Sequence, residues 1–166
     1  INRLLAGAVP ASSLLRTAAQ MTDPTFRKPE TLPEQVQAGI PGLSRNVPPV
    51  LTAFGEEAPR ESPAISPIQV TRAHQSAVDT ELERLGMEVG FVGKTVAGVE
   101  LTREEQQQYQ REAGQLAYEF LSKLVSSALY RAVSDARKER LITKAVNDAR
   151  EKVREKIELR QRQAVR

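Results

Sequence analysis

Three groups of residues in this chain are of types that could do chemistry: a glycine–lysine pair, one histidine and two adjacent glutamates. Gly93-Lys94-Thr95 matches the end of a phosphate-binding loop, in which backbone N–H groups and a lysine hold nucleotide phosphates. That motif also requires a glycine five residues before Gly93, and this position is Glu88. The pattern therefore predicts a plain glycine-rich turn here.

His74 is the single histidine of the chain, and there is no cysteine. A zinc site needs three or four ligands, so every other ligand would have to be a carboxylate. A general base would need a nucleophile and an orienting group nearby, and Ala73-His74-Gln75-Ser76 supplies no such set. We expect an exposed or half-packed histidine on a helix.

Glu104 and Glu105 could form a carboxylate pair for acid–base chemistry. They follow Thr102 in a helix-capping pattern, however, and negative charge in the first helical turn stabilises the helix dipole. A glycosidase pair would also need an apolar pocket that raises the pKa of one carboxyl group, and the sequence gives no sign of one. The sequence thus predicts no enzymatic activity, no cofactor and no metal site.

The positions of the prolines define the predicted domain organisation. All ten lie between Pro10 and Pro67, and proline breaks helix interiors and leaves central strands unpaired. We predict short apolar helices over residues 1–29, a proline-rich extended strap over 30–67 and a helical region over 68–166. The predicted fold class is mainly α, with little or no β structure.

Local signals place the helices within these regions. Thr31, Pro33 and Glu34 predict a capped helix that starts inside the strap region and ends at Gly39. In the helical region we predict helices at about 70–85, 103–130 and 135–162, with Gly86 ending the first. They would form a bundle or hairpin with a long charged C-terminal helix, whose narrow apolar stripe is typical of a coiled-coil seam.

The positive charge of the chain lies near its C-terminus, where residues 131–166 contain twelve basic and six acidic side chains. One interpretation is contact with phosphates of nucleic acid or lipid. The candidate residues for that contact are Arg150, Arg154, Arg160 and Arg162. The other is a solvated or protein-facing helix with attractive pairs at Glu151–Arg154 and Asp148–Lys152, although Glu151 and Glu155 repel each other. The mixed signs favour the second interpretation.

Aromatic residues make up only 4% of the chain, so a core would consist mainly of Leu, Val and Ala. Such a core is thin for 166 residues, and we expect much of the apolar surface to be buried against other molecules. The candidates for protein interaction are Leu14, Leu15, Phe26, Ile40, Leu43, Val47, Phe54, Tyr109, Leu116, Phe120, Leu124, Ile142, Val146 and Val153. Leu14 and Leu15, beside Arg16, are also compatible with a helix lying on a membrane.

A series of short motifs follows a fixed order along most of the chain. The first are Val9-Pro10 before Ser12-Ser13-Leu14-Leu15, Thr22-Asp23-Pro24-Thr25-Phe26-Arg27, Ile40-Pro41-Gly42-Leu43-Ser44, Val47-Pro48-Pro49 and Phe54-Gly55. Those further along are Glu81-Leu82-Glu83-Arg84-Leu85-Gly86, Gly98-Val99-Glu100-Leu101-Thr102, Tyr109, Ala113-Gly114, Arg140-Leu141-Ile142 and Ala149-Arg150. Each motif is weak alone, but in this order they resemble the C-terminal region of the large polyvalent proteins of tailed bacteriophages, and the resemblance covers most of the chain.

This resemblance implies a virion-associated role, because some such proteins look like internal virion proteins that are ejected with the DNA. No catalytic residue carries over. We expect a structural and assembly segment that docks onto portal, tail or other internal proteins and forms a symmetric homo-oligomer. It would lie in the capsid interior, portal or tail channel, and in the host cell envelope after ejection. The alternative is a module that binds packaged DNA or the host membrane during ejection.

Overall fold

The computed structural model describes residues 18–19, 22–59 and 76–164, which divide into two compact units. Unit 1 contains the described residues up to Val50 together with 57–59, and unit 2 contains 51–56 and 76–164. The described residues are mainly α-helical and include one two-stranded hairpin, which confirms the predicted fold class. Most of the predicted N-terminal helical segment, with Leu14 and Leu15, lies outside the described residues.

Helix α1 of unit 1 spans Leu32–Gln37, and its start follows the predicted capping signal. The Thr31 side chain accepts a hydrogen bond from the Glu34 amide, and the Glu34 carboxylate accepts one from the Thr31 amide. Pro33 lies in the first turn, where its missing N–H costs no helical hydrogen bond. A 3₁₀ turn follows at Ser44–Asn46.

Parts of the segment predicted to be an extended strap pair in unit 1 with residues 25–27 and with each other. The Phe26 amide donates to the Ala58 carbonyl at 2.8 Å, and the Val50 amide donates to the Phe26 carbonyl at 2.8 Å. Isolated antiparallel bridges join Thr25 to Pro59 and Arg27 to Pro49. A bridge at the end of a pairing needs no donor from proline, so the prolines that exclude a regular sheet still permit these contacts. Residues 60–67 of the predicted strap lie outside the described part of the chain.

Asp23 anchors unit 1, and only 2% of its surface is exposed. Its carboxylate accepts hydrogen bonds from Arg27 Nε at 2.7 Å, from Ser44 Oγ at 3.0 Å and from the Thr25 amide at 3.2 Å. Arg27 also donates to the Val47 carbonyl at 2.6 Å. Burial disfavours the charged carboxylate, but these hydrogen bonds and the Arg27 charge outweigh that cost and lower the pKa of Asp23.

The first helix of unit 2 in the described residues is α2, at Ala77–Leu85. Ser76 and Asp79 form a capping box at its start, and Gly86 ends it in the left-handed conformation at φ +63°, as the sequence predicts. The glycine-rich segment that follows contains an unpredicted hairpin, in which strands β1 (Thr95–Val96) and β2 (Val99–Glu100) pair antiparallel.

Three further helices complete unit 2: α3 at Arg103–Ser126, α4 at Ala128–Arg131 and α5 at Asp135–Ala164. The capping box of Thr102 and Glu105 starts α3 as predicted. The predicted helix over 103–130 is interrupted at Ser127, whose backbone is extended and whose side chain caps α4 by accepting from the Tyr130 amide. Helices α3 and α5 pack along each other as an antiparallel helical hairpin, and the sequence had left a bundle and a hairpin as alternatives.

Two apolar clusters form the core of unit 2. The first cluster joins α2, α3, α4 and α5. The second joins the β-hairpin and its flanking segments to the N-terminal half of α3 and to α5. Buried members of the first are Val78, Leu82, Ala117, Leu121, Tyr130, Ile142, Val146 and Ala149. Buried members of the second are Val92, Val96, Leu101, Tyr109, Ala113 and Val153.

A polar network covers one end of the first cluster. The Tyr130 hydroxyl donates to Glu81 at 3.0 Å, and Arg84 bridges Glu81 and Asp135 at 2.9 and 2.8 Å. The hydrogen bond from Arg84 lowers the pKa of Glu81, whereas burial and the Glu81 carboxylate raise the pKa of Tyr130. The network therefore ties α2, α4 and α5 together with its charges paired.

The turn at residues 51–56 lies against α3 at a close backbone crossing. A Cβ at Gly114 would overlap the Phe54 carbonyl group and lie 2.5 Å from the Gly55 amide nitrogen. Gln110, one turn earlier, donates to the Thr52 and Ala53 carbonyls at 3.2 and 2.7 Å and accepts from the Val92 amide at 2.9 Å. The buried Gln110 side chain thus connects the turn, α3 and the segment before the β-hairpin.

Replacing Gly114 by Ala tests this crossing. Alanine is the better helix former, so the helix alone would gain about 1 kcal/mol. We expect instead a loss of about 2–3 kcal/mol from overpacking, because the opposing atoms are backbone atoms that cannot rotate away. Urea denaturation and hydrogen exchange of unit 2 amides measure the change. Gln115→Ala, at the exposed next position of α3, is the control and should change stability by less than about 0.5 kcal/mol. A Gly114→Ala protein as stable as the parent would contradict the crossing.

Unit 1 should lose stability in acid because of Asp23. Its folded pKa lies below the unfolded value of about 3.9, so its contribution is complete above that value and is lost as the pH falls through the folded pKa. Hydrogen exchange of the Phe26, Val50 and Ala58 amides measures the effect between neutral pH and pH of about 2. Asp23→Asn should cost unit 1 about 2 kcal/mol at neutral pH and remove this part of the acid dependence. An unchanged acid profile in Asp23→Asn would refute the assignment.

Candidate functional site

Helix α1 presents apolar side chains that the described structure leaves uncovered. None of its residues is buried, and Leu32 and Val36 are 48% and 60% exposed. Residues four apart lie on one side of a helix, so these two side chains form a small apolar face. A helix of six residues gains little from propensity alone, and its capping box and the turns after it hold it in place.

Two predicted interaction residues are exposed in the same unit. Leu43 precedes the 3₁₀ turn, and Phe26 lies in the segment that pairs with Val50 and Ala58. Ile40, a third predicted residue, is half-buried, and its carbonyl accepts from the Leu43 and Ser44 amides. We refer to the exposed side chains of Phe26, Leu32, Val36 and Leu43 together as the unit 1 apolar surface.

Val47, also predicted to contact a partner, has no exposed surface. Its carbonyl accepts the Arg27 hydrogen bond, so the residue is part of the internal structure of the chain. The valine is therefore engaged in intramolecular packing and is not part of the unit 1 apolar surface.

The remaining apolar candidates lie in unit 2 and separate into two groups. Tyr109, Ile142, Val146 and Val153 are buried in the two core clusters and are fully used in packing α3 against α5. The second group is only half-buried at the edge of the cores and comprises Phe54, Leu116, Phe120 and Leu124. The Lys152 ammonium group lies over the Phe120 ring, 5.0 Å from its centroid. The rings of Phe54 and Tyr118 contact each other edge-on.

The predicted phosphate-contact residues do not form a free basic stripe. Arg150 donates to the Gly90 carbonyl, Arg154 pairs with Glu158 at 3.1 Å, and Arg160 lies 3.9 Å from Glu112. Arg162 is exposed near the end of α5. Three of the four guanidinium groups are therefore engaged within unit 2, which reduces the field available to a phosphate.

Glu112 lines a cleft of about 240 Å³ between the N-terminal part of α3 and the C-terminal part of α5. Its carboxylate pairs with Lys156 at 2.7 Å, and this hydrogen bond lowers the pKa of Glu112. The cleft is smaller than the roughly 300–1,000 Å³ of typical ligand pockets, and its carboxylate is neutralised by two cations.

Lys94 and the glutamates of the α3 capping pattern lie at separate positions in unit 2. Lys94 leads into β1, and its carbonyl accepts from the Leu101 amide across the hairpin, while Glu104 and Glu105 lie in the first turn of α3. His74 lies outside the described residues. Within residues 18–19, 22–59 and 76–164, no cluster of His, Cys, Asp or Glu is arranged to hold a metal ion. None of the helices in these ranges combines the length and apolar character needed to cross a bilayer.

The sequence predictions missed several exposed apolar residues. Leu32 and Val36 have the spacing of a helical face immediately after a capping signal, and that combination was sufficient to identify them. The exposed apolar residues of unit 2 have no such signal. They are Phe91, Val99, Leu129 and Leu159.

No known protein family, characterised protein or solved structure matches this chain significantly.

A pair of valine substitutions tests which side chains of unit 1 face solvent. Val36→Ala should change the stability of unit 1 by less than about 0.5 kcal/mol, because the side chain is exposed and alanine favours helix. Val47→Ala should cost about 2 kcal/mol, because it leaves a cavity. Hydrogen exchange of the Phe26, Val50 and Ala58 amides gives both values. Equal losses in the two variants would mean that α1 is packed and not exposed.

Proposed function

We propose that this chain is a non-catalytic structural and assembly segment of a tailed-bacteriophage internal virion protein. Its unit 1 apolar surface would dock onto another virion protein, in the portal, the tail or the capsid interior. The observation that supports docking is the exposure of four large apolar side chains on a unit held by a buried ion pair. Apolar surface that is exposed on an ordered scaffold is typical of an interaction site.

The proposed setting rests on the resemblance of the motifs to the phage family, and two of these motifs build unit 1. Thr22-Asp23-Pro24-Thr25-Phe26-Arg27 supplies both the Asp23–Arg27 pair and the exposed Phe26. Ile40-Pro41-Gly42-Leu43-Ser44 supplies the exposed Leu43 and the Ser44 hydroxyl that donates to Asp23. In each motif, a buried polar residue fixes the backbone and an apolar residue remains available to a partner.

The alternative function is contact with packaged DNA or host membrane during ejection. Residues 131–166 carry the net charge of +6 that would favour it, from twelve basic and six acidic residues. The described contacts give it less support, because Arg150, Arg154 and Arg160 have carbonyl or carboxylate partners in unit 2. Protein docking is therefore the function we favour.

Photo-crosslinking in intact particles tests the docking proposal. A benzophenone side chain at Val36 should crosslink to a second virion protein, because this position lies on the apolar face of α1. The matched control is Gln35, which is exposed on the same helix but about 100° away around its axis. We expect at least several-fold more crosslinked product from Val36 than from Gln35, with the partner identified by mass spectrometry.

Two results would contradict this proposal. Equal yields from Val36 and Gln35 would remove the apolar face as the docking site. Crosslinks from Val36 to DNA or lipid, together with salt-sensitive binding of the purified chain to duplex DNA, would favour the alternative function.

A further inference from the structure

The outward face of α5 carries two blocks of like charge, and one further ion pair, Arg154–Glu158, lies in the same sector of the helix. Arg137, Arg140 and Lys144 form a basic block, and one turn later Asp148, Glu151 and Glu155 form an acidic block. At 100° per residue, all six fall within roughly 80° of the helix circumference. All six side chains are exposed, and the face lies opposite the buried stripe that contains Ile142, Val146, Ala149 and Val153.

The partners that the sequence predicted for Glu151 and Asp148 contact other groups. Arg154, expected to attract Glu151, pairs with Glu158, and Lys152, expected to attract Asp148, lies over the Phe120 ring. None of the six residues in the two blocks has a side-chain hydrogen bond or ion pair within the described part of the chain.

Each block also repels itself along the helix. Arg140 and Lys144 are like-charged neighbours four residues apart, and so are Glu151 and Glu155. Such pairs destabilise an isolated helix, whereas interspersed signs would stabilise it. An arrangement with three unpaired cations followed by three unpaired anions is therefore unfavourable for a solvated helix and favourable for a charged partner.

We propose that this face binds the same face of a second copy of the chain, with the two α5 helices antiparallel. A two-fold axis near position 146 sets Arg137 opposite the second copy's Glu155, Arg140 opposite its Glu151 and Lys144 opposite its Asp148. Each of these three pairs is centred within half a residue of position 146, so one axis satisfies all of them. Because a two-fold interface is self-complementary, the three pairs occur twice and give six ion pairs.

The length and surroundings of the face fit this pairing. Arg137 and Glu155 are 18 residues apart, so the paired region spans about 27 Å of helix. Leu159 lies one turn beyond Glu155, is 58% exposed and adds apolar area at each end. A parallel pair would set like charges against each other, so the charge order selects the antiparallel arrangement. The inference goes beyond the proposed docking role of unit 1 and does not depend on it.

Sedimentation of the full chain tests the pairing. Exposed ion pairs are individually weak, and salt screens them. The screening length is about 3 Å at 1 M salt and about 30 Å at 0.01 M. We expect a species of twice the monomer mass at low salt and a dissociation constant at least roughly tenfold higher at 1 M salt. A monomer at low salt, at protein concentrations up to the solubility limit, would overturn the proposal.

Charge-block reversal gives the sharper test. One variant, R137E/R140E/K144E, makes both blocks acidic, and the other, D148K/E151K/E155K, makes both blocks basic. Each should be folded by circular dichroism and monomeric when alone, and an equimolar mixture should form a heterodimer. The matched control combines all six substitutions, which restores the net charge and the complementary pattern and should restore self-association. Failure of the mixture or of the combined variant to associate, while folded, would overturn the proposal.

Crosslinking tests the antiparallel order, because the chain contains no cysteine of its own. With a short bismaleimide, a mixture of R137C and E155C chains should give the heterodimer crosslink. R137C alone should give little product, since its two copies would lie about 27 Å apart along the helices. Efficient crosslinking of R137C to itself would show a parallel pair and refute a two-fold axis perpendicular to the helices.

Discussion

The close crossing of the Phe54–Gly55 backbone over α3 is the constraint on which the arrangement of unit 2 depends. It requires the absence of a side chain at Gly114 and a left-handed conformation at Gly55, which has φ of +78°. The same approach brings the Thr52 and Ala53 carbonyls within reach of Gln110, whose carbonyl oxygen holds the Val92 amide. Val92 is thereby fixed in the second core cluster, so the two clusters and the turn share one support on α3.

Features that depend on a few neighbouring residues could be predicted from the sequence. Thr31, Thr102 and Gly86 mark helix ends through contacts within one turn, and all three act as predicted. The break at Ser127 was missed, because Ser126, Ser127 and Ala128 continue a helical pattern and the break reflects the packing of α4. The folding of the proline-rich segment was missed for a related reason. It depends on Asp23 meeting Ser44 across twenty-one residues, and nothing local to either residue indicates the other.

The candidate site was predicted only in part. Apolar spacing identifies a helix face but not what covers it, so the buried Tyr109 and Ile142 could not be distinguished from exposed apolar side chains such as Leu43. Charge has the same ambiguity, because Arg160 looks free in the sequence while Glu112, its partner, lies on another helix. Among the apolar residues of the proline-rich segment and the residues before it that were predicted to contact a partner, Phe26 and Leu43 are exposed, whereas Val47 is buried.

The hairpin of α3 and α5 also determines how unit 2 resists force. Because the helices are antiparallel and joined by a short connection, Arg103 and Ala164 both lie at the open end of the hairpin. Tension applied to these two residues separates the helices one layer at a time, starting with the Glu112–Lys156 pair and ending near Tyr130. In this unzipping geometry only one layer bears the load at any moment. The mechanical strength of the hairpin is therefore that of a single layer, although its thermodynamic stability comes from all of them.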